Sequence, residues 1–280
     1  MNALEIKNLT KTYPGFKLDN LSLTLPSGCI MGLIGENGAG KSTTIKLILD
    51  MIHKDSGTIT ILGKDTDNGI KFAKEDIGVV MDEVGIPECL TVKQVGKVMK
   101  NTFSNWDDNE YSRLIQKLAL PDKKQFKEFS RGMKMKLGIA IALSHHAKIL
   151  ILDEATSGLD PVVRDEVVEM FSDFTRDENH SILISSHIVS DLEKLCDYVA
   201  FLHKGKMLLC EEKDQLLSEY GLIHCSVDEL CKLPRDAIKY KKENPYGVEA
   251  MVLRSAMPNN ISISPISIEE LFVFMVKEAR

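Results

Sequence analysis

Gly35-Glu36-Asn37-Gly38-Ala39-Gly40-Lys41-Ser42-Thr43 reads G-x-x-x-x-G-K-S, a spacing that serves phosphate binding where it joins a strand to a helix. The run before it, Cys29–Ile34, is apolar and short, as a buried strand is. The run after it, Thr44–Leu49, carries apolar residues at helical spacing. The loop therefore falls where strand turns into helix. Gly35, Gly38 and Gly40 let the backbone wrap closely, so that successive N–H groups aim at an anion. The following helix offers its N-terminal N–H groups to the same anion. In that setting Lys41 reaches the β- and γ-phosphates and the Ser42 hydroxyl ligates Mg²⁺. Glu36, Asn37, Ala39 and Thr43 complete the cradle. A glycine-rich turn that matches by chance is the alternative, and the flanking strand and helix argue against it.

The bulk numbers suit one large domain with a smaller one. The chain has 280 residues, 44% hydrophobic and 27% charged, with no low-complexity tract. Its net charge of −6 argues against a dedicated nucleic-acid binder, which carries a basic face. Met1–Lys11 holds no signal-peptide core, and no uncharged apolar run is long enough for a membrane span. The six cysteines form no C-x-x-C pair. They read as buried reduced thiols of a cytosolic protein rather than as metal ligands.

Taken in order, Ala3–Tyr13 alternates apolar and polar, breaks at Pro14-Gly15, and is followed by a second alternating run at Leu21–Leu25. These predict an antiparallel β layer. Thr58–Leu62 and Ile77–Met81 predict further strands, the second ending in Asp82-Glu83. From about Val84 the pattern turns helical. Thr91 caps one helix, Asp107-Asp108 starts another that ends before Pro121, and Ser130 opens a third through about Leu143. Residues 84–145 are thus expected to be an inserted helical subdomain, with His145-His146 as cations at a helix end. Ile149–Leu152 and Ser181–Ser186 are too short for helices and typical of buried parallel strands. With the helix after Pro161 between them, they predict a doubly wound α/β core. After Gly221 the texture changes to weak strand signals, turn clusters and a final amphipathic helix candidate, Ile268–Val276. Residues 221–280 read as a small C-terminal accessory domain behind a main domain of residues 1–220.

In such sheets ligands sit at the carboxyl ends of the strands. Four predicted strand ends carry polar groups: the phosphate loop, Asp82, Asp153-Glu154 and His187. Asp153 is placed to hold Mg²⁺, and Glu154 to polarise an attacking water. One carboxylate does not serve both ends, because metal binding lowers its basicity. His187 is placed to contact a γ-phosphate and to orient Glu154. Tyr13 is either an ordinary strand-end aromatic or a platform for an adenine ring; beside this loop the second reading is favoured.

Tyr13, the phosphate loop, Ser130-Arg131-Gly132-Met133, Ile149–Glu154, Ser157-Gly158-Leu159-Asp160 and His187 occur in the order and spacing of an ABC transporter ATP-binding subunit. The resemblance covers about residues 1–221. It implies a P-loop NTPase: a RecA-like α/β core with an antiparallel β layer, and a helical lobe. It also implies head-to-tail pairing of two such domains, homomeric or heteromeric. Each ATP then lies between the phosphate loop of one chain and the Ser130, Arg131, Gly132 and Asp160 region of the other. Two departures from the family pattern matter, the first in the signature, where this chain has Phe129-Ser130-Arg131-Gly132-Met133. Arg131 stands where the signature Leu-Ser-Gly-Gly-Gln has its first Gly. Asp82 stands where the family places a Gln, and its carboxylate could still ligate Mg²⁺ beside Ser42 and Asp153. The Ser-Arg-Gly-Met form resembles a bacterial subgroup that pairs with separate membrane subunits and exports peptides, antibiotics or other amphiphiles.

The resulting expectation is an ATPase, with Lys41, Glu154 and His187 catalytic. It would power a separate permease that docks on the helical lobe, and it would lie in the cytoplasm on the inner face of the membrane. A soluble ABC ATPase of translation or DNA repair is the competing reading, but this chain has one phosphate loop, no heptad run and no zinc module. A binding-only regulator is the third, and the intact Lys41, Asp153, Glu154 and His187 argue against it.

Overall fold

The computed structural model describes residues 1–68, 74–82, 85–156, 158–245 and 247–278. Glu83, Val84 and Ser157, named above, lie outside the described residues. The chain begins with β1 (Asn2–Tyr13), β2 (Phe16–Pro26), β3 (Ile30–Gly35) and α1 (Lys41–Ile48). There follow β4 (Ser56–Ile61), β5 (Lys64–Asp65), β6 (Ile77–Val80), α2 (Val92–Thr102), α3 (Asp108–Lys117) and α4 (Arg131–Leu143). Next come β7 (Ile149–Asp153), α5 (Pro161–Phe174), β8 (Ser181–Ser186), α6 (Val189–Leu195), β9 (Tyr198–His203), β10 (Lys206–Glu212) and α7 (Lys213–Glu219). The chain closes with β11 (Tyr220–Cys225), α8 (Val227–Leu230), β12 (Ile238–Asn244), β13 (Gly247–Leu253) and α9 (Ile268–Glu278).

The central sheet has the order β10-β9-β3-β8-β7-β6, parallel except where β10 pairs antiparallel with β9. Every residue of β3, β7 and β8 is buried, because both faces of a parallel sheet are covered. The period of two sorts their side chains between two cores. Ile30, Ile34, Leu150 and Leu152 join the helices on one face. Met31, Leu33, Ile149 and Ile151 join α1 and the second sheet on the other.

That second sheet is the antiparallel layer, order β2-β1-β4-β5. Its hairpin extends beyond the expected run: β2 begins at Phe16, which pairs with Tyr13 across the Pro14-Gly15 turn. Gly15 has φ 81°, which suits a turn with Pro then Gly at its centre. The alternation before Leu21 is hidden by a phase break. Leu18 and Leu21 are both buried though three apart, because Asn20 sits at φ 54° and the β1–β2 register shifts nearby.

Each helix of the 91–143 stretch has the cap its sequence foretells. Thr91 and Gln94 form a capping box on α2, Asp107 caps α3 and Ser130 caps α4. The Tyr111 hydroxyl donates to the Val92 carbonyl (2.9 Å), tying α3 to α2. His145 is a correction. It is buried rather than a cation at a helix end, stacked on Phe103 at 4.1 Å, with Nδ1 3.0 Å from the Ile141 carbonyl and Nε2 3.2 Å from that of Ile77. Burial holds its pKa below the ordinary 6.5. The unfolded chain therefore takes up the proton first as pH falls. The stabilisation is full above the unfolded value and is lost as pH falls towards the folded one. His145→Leu is accordingly expected to cost about 1–3 kcal/mol at pH 8, by leaving a carbonyl unpaired. It should also lose less stability than wild type between pH 8 and 5.5; urea melts at both pH values check this.

The cysteine reading needs correction too. Cys196 is buried, with its thiol pushed up by that burial, but Cys89 and Cys231 are exposed and the other three are half-buried. After α7 the chain forms a third sheet, order β11-β13-β12. α9 returns to the central core: Phe272 meets Phe201 edge-on at 5.2 Å, while Phe274 packs on Tyr240 at 4.9 Å.

Candidate functional site

The carboxyl ends of β3, β6, β7 and β8 converge on a cavity of about 730 Å³ lined by Glu36, Lys41, Asp82, Arg131, Glu154 and His187, among others. The phosphate loop forms its floor. Gly40, at φ 113°, is the N-cap of α1 and gives it no side-chain cap. The α2 to α5 helices, by contrast, are all capped by side chains. The first N–H groups of α1 are therefore open to an anion, at the positive end of the helix dipole. Gly35 is required for a different reason: a Cβ there would stand 2.6 Å from the Leu202 carbonyl oxygen.

Lys41 is buried and bridges the loop to the carboxyl end of β7. Its Nζ donates to the Gly35 carbonyl (2.7 Å) and lies 3.5 Å from Glu154 Oε1. Glu154 Oε2 in turn takes the Nδ1 side of His187 at 2.6 Å. A continuous line of contacts thus runs from cation through carboxylate to imidazole. Glu154 is held there at φ 55°, a region a non-glycine residue occupies only when its surroundings insist. Its N–H donates to both the carbonyl and the hydroxyl of Ser185 (3.1 Å each). The same hydroxyl donates to Asp153 Oδ1 (2.5 Å), fixing the buried carboxylate beside it.

The cavity thus brings together Glu36, Asn37, Gly38, Gly40, Lys41, Ser42, Thr43, Asp82, Arg131, Glu154 and His187. Gly35 and Ala39 are buried within the loop, and Asp153 is buried at the end of β7. Tyr13, Ser130, Gly132 and Asp160 are not among its lining residues. Tyr13 is partly exposed at the hairpin tip; Ser130 and Asp160 cap α4 and α5, accepting from the N–H of Met133 (3.3 Å) and Val163 (3.2 Å).

Three contributors escaped the sequence reading. Phe16 is the aromatic that lines the cavity, over Gly40; its pairing with Tyr13 was the available signal. Ser185 is set beside Asp153 by the β7–β8 register. His203 ends β9 as the other polar residues end their strands, buried with Nδ1 3.4 Å from Glu36 Oε2.

Residues 18–157 match the family model described as "ABC transporter". The lantibiotic transport ATP-binding protein SrtF of Streptococcus pyogenes is 38% identical over 217 residues, covering 75% of this chain and 91% of its own. The bacitracin transport ATP-binding protein BcrA of Bacillus licheniformis is 36% identical over 208 residues, covering 73% and 68%. A solved ATP-binding subunit of an ABC transporter superposes with a TM-score of 0.70 at 28% identity, covering 76% of this chain and 91% of its own. An anion-ready helix end, an acid beside a lysine and this breadth of likeness agree: the chain belongs to the ABC transporter family, as one of its ATP-binding, ATP-hydrolysing subunits.

Proposed function

We propose that the chain drives export of a peptide, antibiotic or similar amphiphile through a separate membrane subunit, hydrolysing ATP in the cavity over α1. The observation that carries the ATPase part is the contact line Lys41–Glu154–His187 above an uncapped helix N-terminus. The substrate class is supported by the names of the two relatives, one for lantibiotic and one for bacitracin transport.

In this reading Lys41 exchanges the Gly35 carbonyl for the β- and γ-phosphates. Glu154 takes a proton from water as its oxygen bonds to the γ-phosphorus. The bond to the bridging oxygen breaks, leaving ADP and phosphate. His187 fixes the Glu154 carboxylate through Oε2. Ser42 and Asp153 offer a hydroxyl and a carboxylate oxygen. Among the described residues no group of three or more His, Cys, Asp or Glu forms a closed metal cage. Such a sparse oxygen set suits Mg²⁺, which keeps waters and phosphate oxygens. When bound, that cation neutralises charge on the β- and γ-phosphates. Ser130, Gly132 and Asp160, outside the chain's own cavity, are assigned to the site of a second copy.

The permease is read as a separate chain, with this one peripheral on its inner face; among the described residues no helix is long and apolar enough to cross a membrane. The docking region is the helical lobe with the loop between Asp82 and Thr91. An apolar groove of about 550 Å³ beside it supports this, with Met51, Val79, Phe103 and Ile141 in its lining. Met51 and Val79 are exposed there, as an unfilled docking groove leaves its apolar side chains. Affinity purification from detergent-solubilised membranes is expected to recover a polytopic membrane protein with the chain. Recovery of ribosomes or DNA-repair proteins in its place would overturn the transport assignment.

A further inference from the structure

We propose that His203 is a positioning residue for the phosphate loop, seating the Glu36 carboxylate against the end of β9 so that the loop can take an anionic nucleotide. The inference rests on the ATP reading above. β3 and β9 run parallel with Gly35 opposite Leu202. The residues one step beyond them, Glu36 and His203, therefore meet at the carboxyl edge of the sheet. His203 is 4% exposed, and neither of its ring nitrogens makes a hydrogen bond among the described residues. Its ionic contact is with Glu36, whose Oε2 lies 3.4 Å from Nδ1. A carboxylate only accepts, so the nitrogen facing it is the one that carries the proton. The turn after His203 backs the same loop: the Gly205 N–H donates to the Ala39 carbonyl (2.9 Å), and the Leu202 carbonyl oxygen packs against Gly35.

Glu36 carries the wrong charge for its place. It is the second residue of a loop that binds an anion, and its side chain, 48% exposed, lines the cavity. An unpaired carboxylate there would repel phosphate and compete with it for Lys41. The two ends of Glu36 face different groups instead. Its carbonyl lies 3.4 Å from Lys41 Nζ within the loop, while its carboxylate is drawn towards β9. A buried imidazole suits this task, because packing already fixes the ring and a less polar surrounding strengthens the attraction. Burying ring nitrogens that make no hydrogen bond costs stability, so packing alone would favour an apolar side chain at position 203. The contact with Glu36 gives the histidine its reason.

The test is a double-mutant cycle of His203→Leu and Glu36→Gln, in which leucine fills the buried site and glutamine keeps the side chain's length. Titration calorimetry measures affinity for the non-hydrolysable analogue AMP-PNP with Mg²⁺, at concentrations where sedimentation shows monomer. His203→Leu should weaken binding about three- to fivefold, the range of an ion pair with one exposed partner. In the Glu36→Gln background, where no carboxylate needs seating, the loss should fall below about twofold. A larger loss that persists there makes His203 a merely structural residue and overturns the proposal, as does a loss below twofold with Glu36 in place. No binding by wild type overturns the ATP reading itself. A second arm leaves the buried histidine untouched. Glu36→Asp keeps the charge but draws it back by one methylene from Nδ1, so it should bind about three- to fivefold more weakly than Glu36→Gln. Equal affinity of those two variants overturns the seat.

Discussion

Glu154→Gln is expected to lower the ATP turnover rate by at least about 10²- to 10⁴-fold, the range of a positioned general base, while ATP affinity stays within about threefold of wild type. The reasoning is geometric. Glutamine keeps the length and volume of the side chain, so the left-handed backbone at φ 55° and both N–H bonds to Ser185 are undisturbed. Its amide oxygen can still accept from Lys41 or His187. What it lacks is a lone pair basic enough to take a proton from water as that water reaches the γ-phosphorus. On the proposed reading nucleotide binding depends instead on Lys41 and the open end of α1, neither of which changes. The variant should therefore accumulate in an ATP-bound dimer, visible as an earlier peak in size-exclusion chromatography with ATP and absent with ADP. Glu154→Asp supplies a second reading, since it keeps the carboxylate but draws it back by one methylene from Lys41 and His187. Phosphate release should be partly retained there. Near-normal turnover in the glutamine variant would remove Glu154 from the role of base.

The parts of this site that were legible in the sequence are those set by local rules. A strand that is buried on both faces must be apolar until it reaches the ligand edge, so the polar residue that ends it announces itself, as Asp82, Asp153 and His187 do. The caps at Thr91, Asp107 and Ser130 are equally local. What stayed hidden depends on register and packing. Ser185 matters because β7 and β8 pair so that it stands beside Asp153, and sequence alone does not print that register. Phe16 was concealed by the phase break at Asn20, which interrupts the alternation that marks a strand. Asp82 and Arg131 were each visible as departures, but their contact joins a strand end to a helix start 49 residues away. His145 shows the opposite failure. A local rule, cation at a helix end, was overridden where Phe103 and the Ile77 strand cover the ring and the cost of burying a charge exceeds the dipole's attraction. The same dependence on packing governs the C-terminal segment, whose weak strand signals gave no hint that Phe272 would reach Phe201.

Lys41→Met is expected to lose what Glu154→Gln keeps. The Nζ of Lys41 is a buried charge lining the cavity, held by the Gly35 carbonyl at 2.7 Å and 3.5 Å from Glu154. Methionine fills similar volume without a donor. Each charge-assisted hydrogen bond to a phosphate contributes about 1.5–3 kcal/mol, so loss of one or two weakens ATP affinity by about 10- to 10⁴-fold. Turnover should fall below detection at millimolar ATP, because substrate binding and charge stabilisation of the reacting phosphoryl group both fail. Isothermal titration and phosphate release measure the two separately. The empty protein is expected to change little in stability. The variant removes a buried cation but leaves the Gly35 carbonyl without its donor and Glu154 without its neighbour, and these effects oppose one another. Lys41→Arg decides whether charge alone suffices: its planar fork cannot occupy the space of an ammonium that the loop closes around, so affinity should recover only in part. The dimer that accumulates in Glu154→Gln should not form when Lys41→Met is added. If it does form, the phosphates are held by the α1 N–H groups without the lysine, and Lys41 acts only in the chemical step.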